Sequence, residues 1–368
     1  MPALNDSMGA APARRPTRPL PMKTFNWALV GPGKIARRFA HALSALPGSR
    51  LAAVHGRDEA RAAAFARQCQ AQWPDPAGEP RVSTDLAALL ADPAIDAVYV
   101  ATPHARHGAP VRAALRAGKP VLCEKPLVPH RAEGEALVAL ARERGVFLME
   151  AVWTRFLPAY EVLGGWLRDQ AIGPLRAIES SFCFPAPYEP QSRLFDPALA
   201  GGALLDIGIY NLTATRWVLE QAQGHVPELQ RLDVQGLLAP TGVDLRVQGL
   251  MGFEGGLLAQ FNCGLDASSP NALTILGERG SISLPRNFWE SQQLVLRPHG
   301  QAEQLVDAPW RINGFEGEIE EAQACIRAGL VESPRMSHAE TLAILGWMDR
   351  IRARLGVHYP FEAEAPRP

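Results

Sequence analysis

Long apolar runs are missing from this 368-residue chain. No stretch approaches the ~20 apolar residues that a membrane-spanning helix requires, so no membrane partner is expected. An excess of one charge is missing too. Lys and Arg number 37 against 38 Asp and Glu, a formal net charge of -1, and the arginines are scattered, which argues against nucleic acid as the main partner. Cysteine is scarce. The five, Cys69, Cys123, Cys183, Cys263 and Cys325, form no CxxC pair and no metal-ligand spacing, so no metal is expected and reduced thiols in the cytoplasm fit best. Residues 1–24, rich in Ala, Pro and Arg, lack the apolar core of a secretory signal and read as a disordered arm, with Met22 an alternative start to Met1. No internal repeat is evident.

What is present is an apolar fraction of 47%, ordinary for a globular protein, spread over a length that fits two domains. From Phe25 to Trp153 apolar strands alternate with helices. Strands are expected at Phe25 to Val30, Leu51 to Gly56, Asp96 to Ala101, Val121 to Glu124 and Val146 to Val152. Helices are expected at Lys34 to Leu46, Asp58 to Cys69, Ala105 to Ala117 and Arg131 to Arg144. Repeated βα units predict a doubly wound parallel sheet, an α/β dinucleotide-binding domain over 25–153.

After Trp153 the rhythm changes. Helices at Ala159 to Asp169 and Ala203 to Glu220 flank strand-like runs at Arg176 to Phe184, Leu232 to Leu238, Val243 to Phe253, Leu257 to Cys263, Ala272 to Leu276 and Leu294 to Arg297. Hairpin signals such as Glu254-Gly255-Gly256 predict a largely antiparallel open sheet in an α+β domain over 154–368. Two helices close the chain, the second opened by the capping pattern Ser337 to Glu340 and ended by Gly356. The helices are enough to cover one sheet face, so the other is expected to pair with a second subunit.

Three constellations carry chemistry. Gly31-Pro32-Gly33-Lys34-Ile35-Ala36 follows an apolar strand and opens a helix, the setting in which glycines let a pyrophosphate approach the backbone. At the second strand tip, Val54-His55-Gly56-Arg57, no carboxylate stands ready for a ribose 2'-hydroxyl. Arg57 favours the 2'-phosphate of NADP, with NAD remaining possible. Thr102-Pro103-His104, and His107 beyond, end the next central strand and would lie along the cofactor.

Glu124-Lys125-Pro126 ends a further strand, beyond which ligands of such sheets bind, and aims an ammonium at whatever lies there. In Gly201-Gly202-Ala203-Leu204-Leu205-Asp206-Ile207-Gly208-Ile209-Tyr210, Asp206 and Tyr210 share a helix face at i and i+4.

Together these motifs resemble those of the glucose-fructose oxidoreductase, inositol dehydrogenase and rhizopine-catabolism family (Gfo/Idh/MocA), over about Phe25 to Glu362 and in the family's order. Glu150 to Phe156 and Asp206 to Tyr210 look like its dimeric dihydrodiol dehydrogenase and pyranose dehydrogenase branch, while Asn211 to Glu220 is also similar to glucose-fructose oxidoreductase. The resemblance implies a catalytic Lys125, an acidic Asp206 on the substrate helix and Tyr210 as acid/base, where many members have histidine. It also implies a homodimer or higher even oligomer. Residues 1–24 resemble neither the export signal nor the cofactor-clasping arm of glucose-fructose oxidoreductase.

The chemistry agrees with that assignment. Oxidising a secondary alcohol needs a group to take the hydroxyl proton as hydride leaves, and a free phenol with pKa ~10 is too weak a base near neutrality. An ammonium ~4 Å away would contribute roughly 4 kcal/mol, about 3 pKa units, and bring Tyr210 near pH 7. Trp153 and Arg155 are expected to line the pocket mouth beside Asp206 and Tyr210. The expected substrate is a sugar, cyclic polyol or trans-dihydrodiol. Alternatives are an NAD-dependent sugar or inositol dehydrogenase and a non-catalytic dinucleotide-binding sensor.

Overall fold

The computed structural model describes residues 23–362, so the expectations for 1–22, Met22 included, lie outside the described residues. The chain opens with strand β1 (Phe25–Val30), whose side chains are almost all buried because helices cover both faces of a parallel sheet. Helix α1 (Lys34–Ala45), strand β2 (Ser49–His55) and helix α2 (Glu59–Gln72) follow, the last capped by Asp58, which accepts from Arg61 N at 3.0 Å. Next come β3 (Arg81–Ser83), α3 (Leu86–Ala91), β4 (Ala97–Val100), α4 (Gly108–Arg116), β5 (Val121–Glu124), α5 (Arg131–Arg144) and β6 (Leu148–Ala151). All six strands are parallel in the order β3-β2-β1-β4-β5-β6, the doubly wound arrangement, with its topological switch between β1 and β4. The sequence reading had no β3 or α3. A three-residue edge strand with no fully buried residue offers no periodicity to detect.

The second sheet begins after helix α6 (Pro158–Arg168) with β7 (Leu175–Cys183). A π-helical turn, Leu204–Gly208, runs directly into helix α7 (Ile209–Gln223). Strands β8 (Leu229–Leu238), β9 (Asp244–Phe253), β10 (Leu258–Gly264), β11 (Leu273–Gly277), β12 (Gly280–Leu284), β13 (Gln293–Pro298) and β14 (Gln304–Asp307) complete an eight-stranded sheet in the order β14-β13-β12-β11-β7-β10-β9-β8. Only the β7–β10 pair is parallel, so the largely antiparallel expectation is met. β12 and the exposed edge strand β14 were not anticipated as strands.

Helices α8 (Glu316–Arg327) and α9 (His338–Leu355) end the fold, α9 capped by Ser337, which accepts from Glu340 N at 3.2 Å, and stopped by left-handed Gly356. Both return to the first sheet: α8 meets α1, and α9 meets α5 and β6. One face of the large sheet takes α6, α7 and α9, whereas Leu237, Leu238, Leu250, Leu258 and Leu305 stand 39–58% exposed on or near its strands. Among the described residues no helix is long and apolar enough to cross a membrane.

Candidate active site

Gly31 is where the backbone demands glycine. Its φ is +97°, and a Cβ there would lie 2.8 Å from the Ala101 carbonyl and the Thr102 nitrogen. Gly33 precedes α1 in extended conformation with no side-chain cap, so the first-turn N–H groups of Lys34 and Ile35 remain open to an anion. Ala36 is fully buried and lets α1 close onto the sheet. These features fit a dinucleotide pyrophosphate. Arg57 lies exposed beyond the tip of β2, with Asp58 already committed as a helix cap.

Lys125 leaves the end of β5, beside a cis Lys125–Pro126 peptide, and crosses to the second domain's helix. Its Nζ donates to the backbone carbonyl of Asp206 at 2.5 Å and lies 3.4 Å from Asp206 Oδ1. Asp206 lies within the π turn Leu204–Gly208, an element that recurs at functional sites. Asp206 also receives Arg193 Nη1 at 2.7 Å, and His104 Nε2 stands 3.8 Å away. Burial works to raise the Asp206 pKa, but the charges of Lys125 and Arg193 outweigh it and hold the carboxylate below its usual range. His104 is pushed down to about 3 by burial and stays neutral, its Nδ1 3.2 Å from the Ala200 carbonyl.

The expected Lys125 to Tyr210 relationship takes a different form. The ammonium sits 5.0 Å from the centre of the Tyr210 ring, over its face, while the phenol oxygen accepts a 3.0 Å hydrogen bond from Trp153 Nε1. Burial, with the nearby Glu124 carboxyl adding to it, pushes the phenol well above its ordinary value near 10, the reverse of the expected depression. Trp153 is thus joined to Tyr210, its ring covered by Arg38 at 4.3 Å and Phe315 at 5.1 Å. Phe182 and Trp289, stacked at 3.3 Å, form an aromatic wall whose members lie 5.8 and 6.5 Å from the Tyr210 ring.

Three sequence expectations need correction. Arg155 does not line the mouth: it is 4% exposed, and its guanidinium binds Glu340 Oε1 at 2.9 Å and the Arg335 carbonyl at 2.8 Å. A buried charge demands a partner, and Glu340 supplies it, taking Arg216 as well. His107 does not stand open beyond the strand end. It is fully buried, with Nδ1 2.8 Å from the Pro126 carbonyl and Nε2 2.7 Å from that of Thr102, and so ties the turns that follow β5 and β4. Glu124 turns inward, accepting from Tyr99 at 2.5 Å and from Lys125 N at 3.3 Å. Thr102, just beyond the end of β4, donates its hydroxyl to the Arg106 carbonyl, and Pro103 opens that short 3-10 turn. Arg193 and the Phe182–Trp289 wall were missed, because they stand in segments without motif or helical period.

Residues 25–152 match the family described as "Oxidoreductase family, NAD-binding Rossmann fold", and residues 160–283 match the "GFO/IDH/MocA C-terminal domain". Trans-1,2-dihydrobenzene-1,2-diol dehydrogenases of Sus scrofa and Homo sapiens are both 34% identical, with 91% of this chain and 98% of each relative covered. Among solved structures, an aldose-aldose oxidoreductase from Caulobacter crescentus complexed with glycerol superposes with a TM-score of 0.79 at 25% identity, covering 91% of this chain and 98% of that one. A 3-ketoreductase from Actinomadura kijaniata, in complex with NADP and TDP-benzene, gives 0.76 at 26% identity, covering 90% and 98%. With both halves of the fold matched in order and relatives 34% identical over most of the chain, the chain is an NAD(P)-dependent oxidoreductase and belongs to the GFO/IDH/MocA family.

Proposed function

We propose that this enzyme uses NADP to interconvert a secondary alcohol and a carbonyl on a sugar, cyclic polyol or trans-dihydrodiol. The observation that carries the reading is the meeting of Lys125, Asp206 and Tyr210 beyond the carboxyl end of β5, in the sheet whose β1 tip holds the Gly31 cradle. The names of the relatives, dihydrodiol dehydrogenases and an aldose-aldose oxidoreductase, support the substrate class.

In this reading Gly31, Gly33, Lys34 and Ile35 hold the pyrophosphate, Arg57 meets the 2'-phosphate, and Thr102, Pro103 and His104 flank the cofactor. A bound nicotinamide supplies the acceptor or donor of hydride. The chain's own groups handle the proton. Tyr210, a neutral phenol in this environment, is ready to give its proton to a carbonyl oxygen during reduction and must receive one from the hydroxyl during oxidation. Lys125, held by Asp206, places positive charge against the oxygen that becomes negative. Trp153 fixes the phenol's direction, and the aromatic wall excludes water.

We assign 25–153 to cofactor binding and 154–368 to substrate binding and assembly, the latter through the uncovered sheet face as a homodimer or higher even oligomer. Five free, buried thiols support a cytoplasmic setting. The test is a panel of sugars, polyols and dihydrodiols, and their ketones, with NADP(H) and NAD(H), followed by nicotinamide absorbance. NADP-preferring turnover of at least one member is expected. Tight NADPH binding with turnover of none would overturn the reading in favour of a sensor.

A further inference from the structure

Between β7 and the π turn the chain passes through a loop whose one charged contact with the site is Arg193. The backbone there is fixed. Phe195 N and Asp196 N donate to the Ser192 carbonyl at 3.0 and 2.9 Å, and Gly202 N donates to the Leu194 carbonyl at 2.9 Å. A Cβ at Gly201 would meet that same Leu194 oxygen at 2.8 Å, so backbone packs on backbone. Phe195, 1% exposed, pins the loop from below and meets the Tyr188 ring edge-on at 5.0 Å. Arg193 therefore starts from a rigid position beside the turn that leads into Asp206.

Its far end is different. The Arg193 side chain is 57% exposed, against 8% for Asp206 and 11% each for Lys125 and His104. A guanidinium carries five N–H donors, and among the described residues one is engaged, at Asp206 Oδ1. Among the described residues, every contact to the Asp206 carboxylate falls on that same Oδ1: Arg193, Lys125 and His104. Oδ2 and the remaining guanidinium N–H groups are left for a ligand. Asp206 holds Arg193 firmly protonated.

A hydroxyl is donor and acceptor at once. Set between these two groups it donates to Asp206 Oδ2 and accepts from Arg193, a pairing that a methylene cannot make at all. We infer that Arg193 is a specificity-determining substrate residue that binds, with Asp206, the hydroxyl on the carbon next to the one oxidised, so that the enzyme selects vicinal diols. The inference rests on the proposed activity and goes beyond it in naming what distinguishes a substrate from a simple alcohol.

The experiment compares parent, Arg193→Met and Arg193→Lys on matched pairs, each a vicinal diol and its counterpart lacking the neighbouring hydroxyl, such as D-glucose with 2-deoxy-D-glucose and trans-1,2-cyclohexanediol with cyclohexanol. NADP is saturating, and thermal melts check folding. Losing a charge-assisted hydrogen bond lowers kcat/KM for the diol roughly 10- to 100-fold in Arg193→Met, chiefly through KM, with Arg193→Lys recovering part. The counterpart should lose less than about 3-fold, since it makes no such bond. Equal losses on both members would make Arg193 a positioning residue acting through Asp206, and no loss on either would make it a surface residue; both overturn the inference and leave the activity standing. A folded parent that turns over no member of any pair in either direction overturns the proposed activity and the inference with it. If Arg193→Met fails to fold, Arg193→Lys decides: a diol-selective rise in KM supports the inference, and an unselective one overturns it.

Discussion

Trp153 Nε1 donates a 3.0 Å hydrogen bond to the phenol oxygen of Tyr210, tying the residue that follows the parallel sheet to the helix of the antiparallel one. The phenol this bond orients is a weaker acid than a free tyrosine, because burial and then Glu124 disfavour its ionised form. A proton donor is competent below its pKa, so Tyr210 should remain a donor throughout the neutral range.

With saturating NADPH, kcat/KM for carbonyl reduction is therefore expected to show no Tyr210-dependent fall between about pH 6 and 9. Tyr210→Phe should lower turnover by roughly 10²- to 10⁴-fold while NADPH affinity holds. A fall centred near pH 7 in the parent, abolished in Tyr210→Phe, would show that Lys125 depresses the phenol after all.

Arg57 stands exposed beyond the tip of β2, and the neighbouring Asp58 is taken up as a helix cap. Arg57→Ala should raise KM for NADP at least ~10-fold more than KM for NAD, as expected for one lost charge-assisted bond. Steady-state kinetics with both cofactors measures this, and equal changes would remove Arg57 from phosphate recognition.

Leu250 and Leu258 are 42% and 47% exposed on the neighbouring strands β9 and β10. If that sheet face joins two subunits, Leu250→Asp combined with Leu258→Asp places two charges in an apolar interface and should halve the sedimenting mass. A parent that sediments as a monomer at micromolar concentration refutes the assignment.

Arg155 and Glu340 illustrate a charge pair whose role is folding. Both are buried, and Glu340 bridges Arg155 and Arg216. Arg155→Met removes one of two cations from this carboxylate and the donor to the Arg335 carbonyl, and is expected to destabilise by roughly 3 to 5 kcal/mol. Denaturant unfolding reads the loss, and surviving native enzyme should keep its KM. A selective rise in KM without destabilisation would return Arg155 to the pocket.

The sequence by itself determined the parallel sheet and the cofactor turn, because both are written in local pattern: apolar strands alternating with helices, and a glycine at a position where only backbone fits. The Lys125, Asp206 and Tyr210 set was also legible, since each ends a strand or shares a helix face. What the tertiary structure decided was how these groups face one another. A spacing of four residues cannot show that the helix begins as a π turn, nor that Lys125 takes the Asp206 carbonyl and lies over the Tyr210 ring. It cannot show that burial, with Glu124 beside it, raises the phenol. Arg155 was misplaced for the same reason, as its partner Glu340 lies 185 residues away in the chain. Desolvation and charge pairing depend on which segments pack together, and that is settled only when the last two helices fold back on the first sheet.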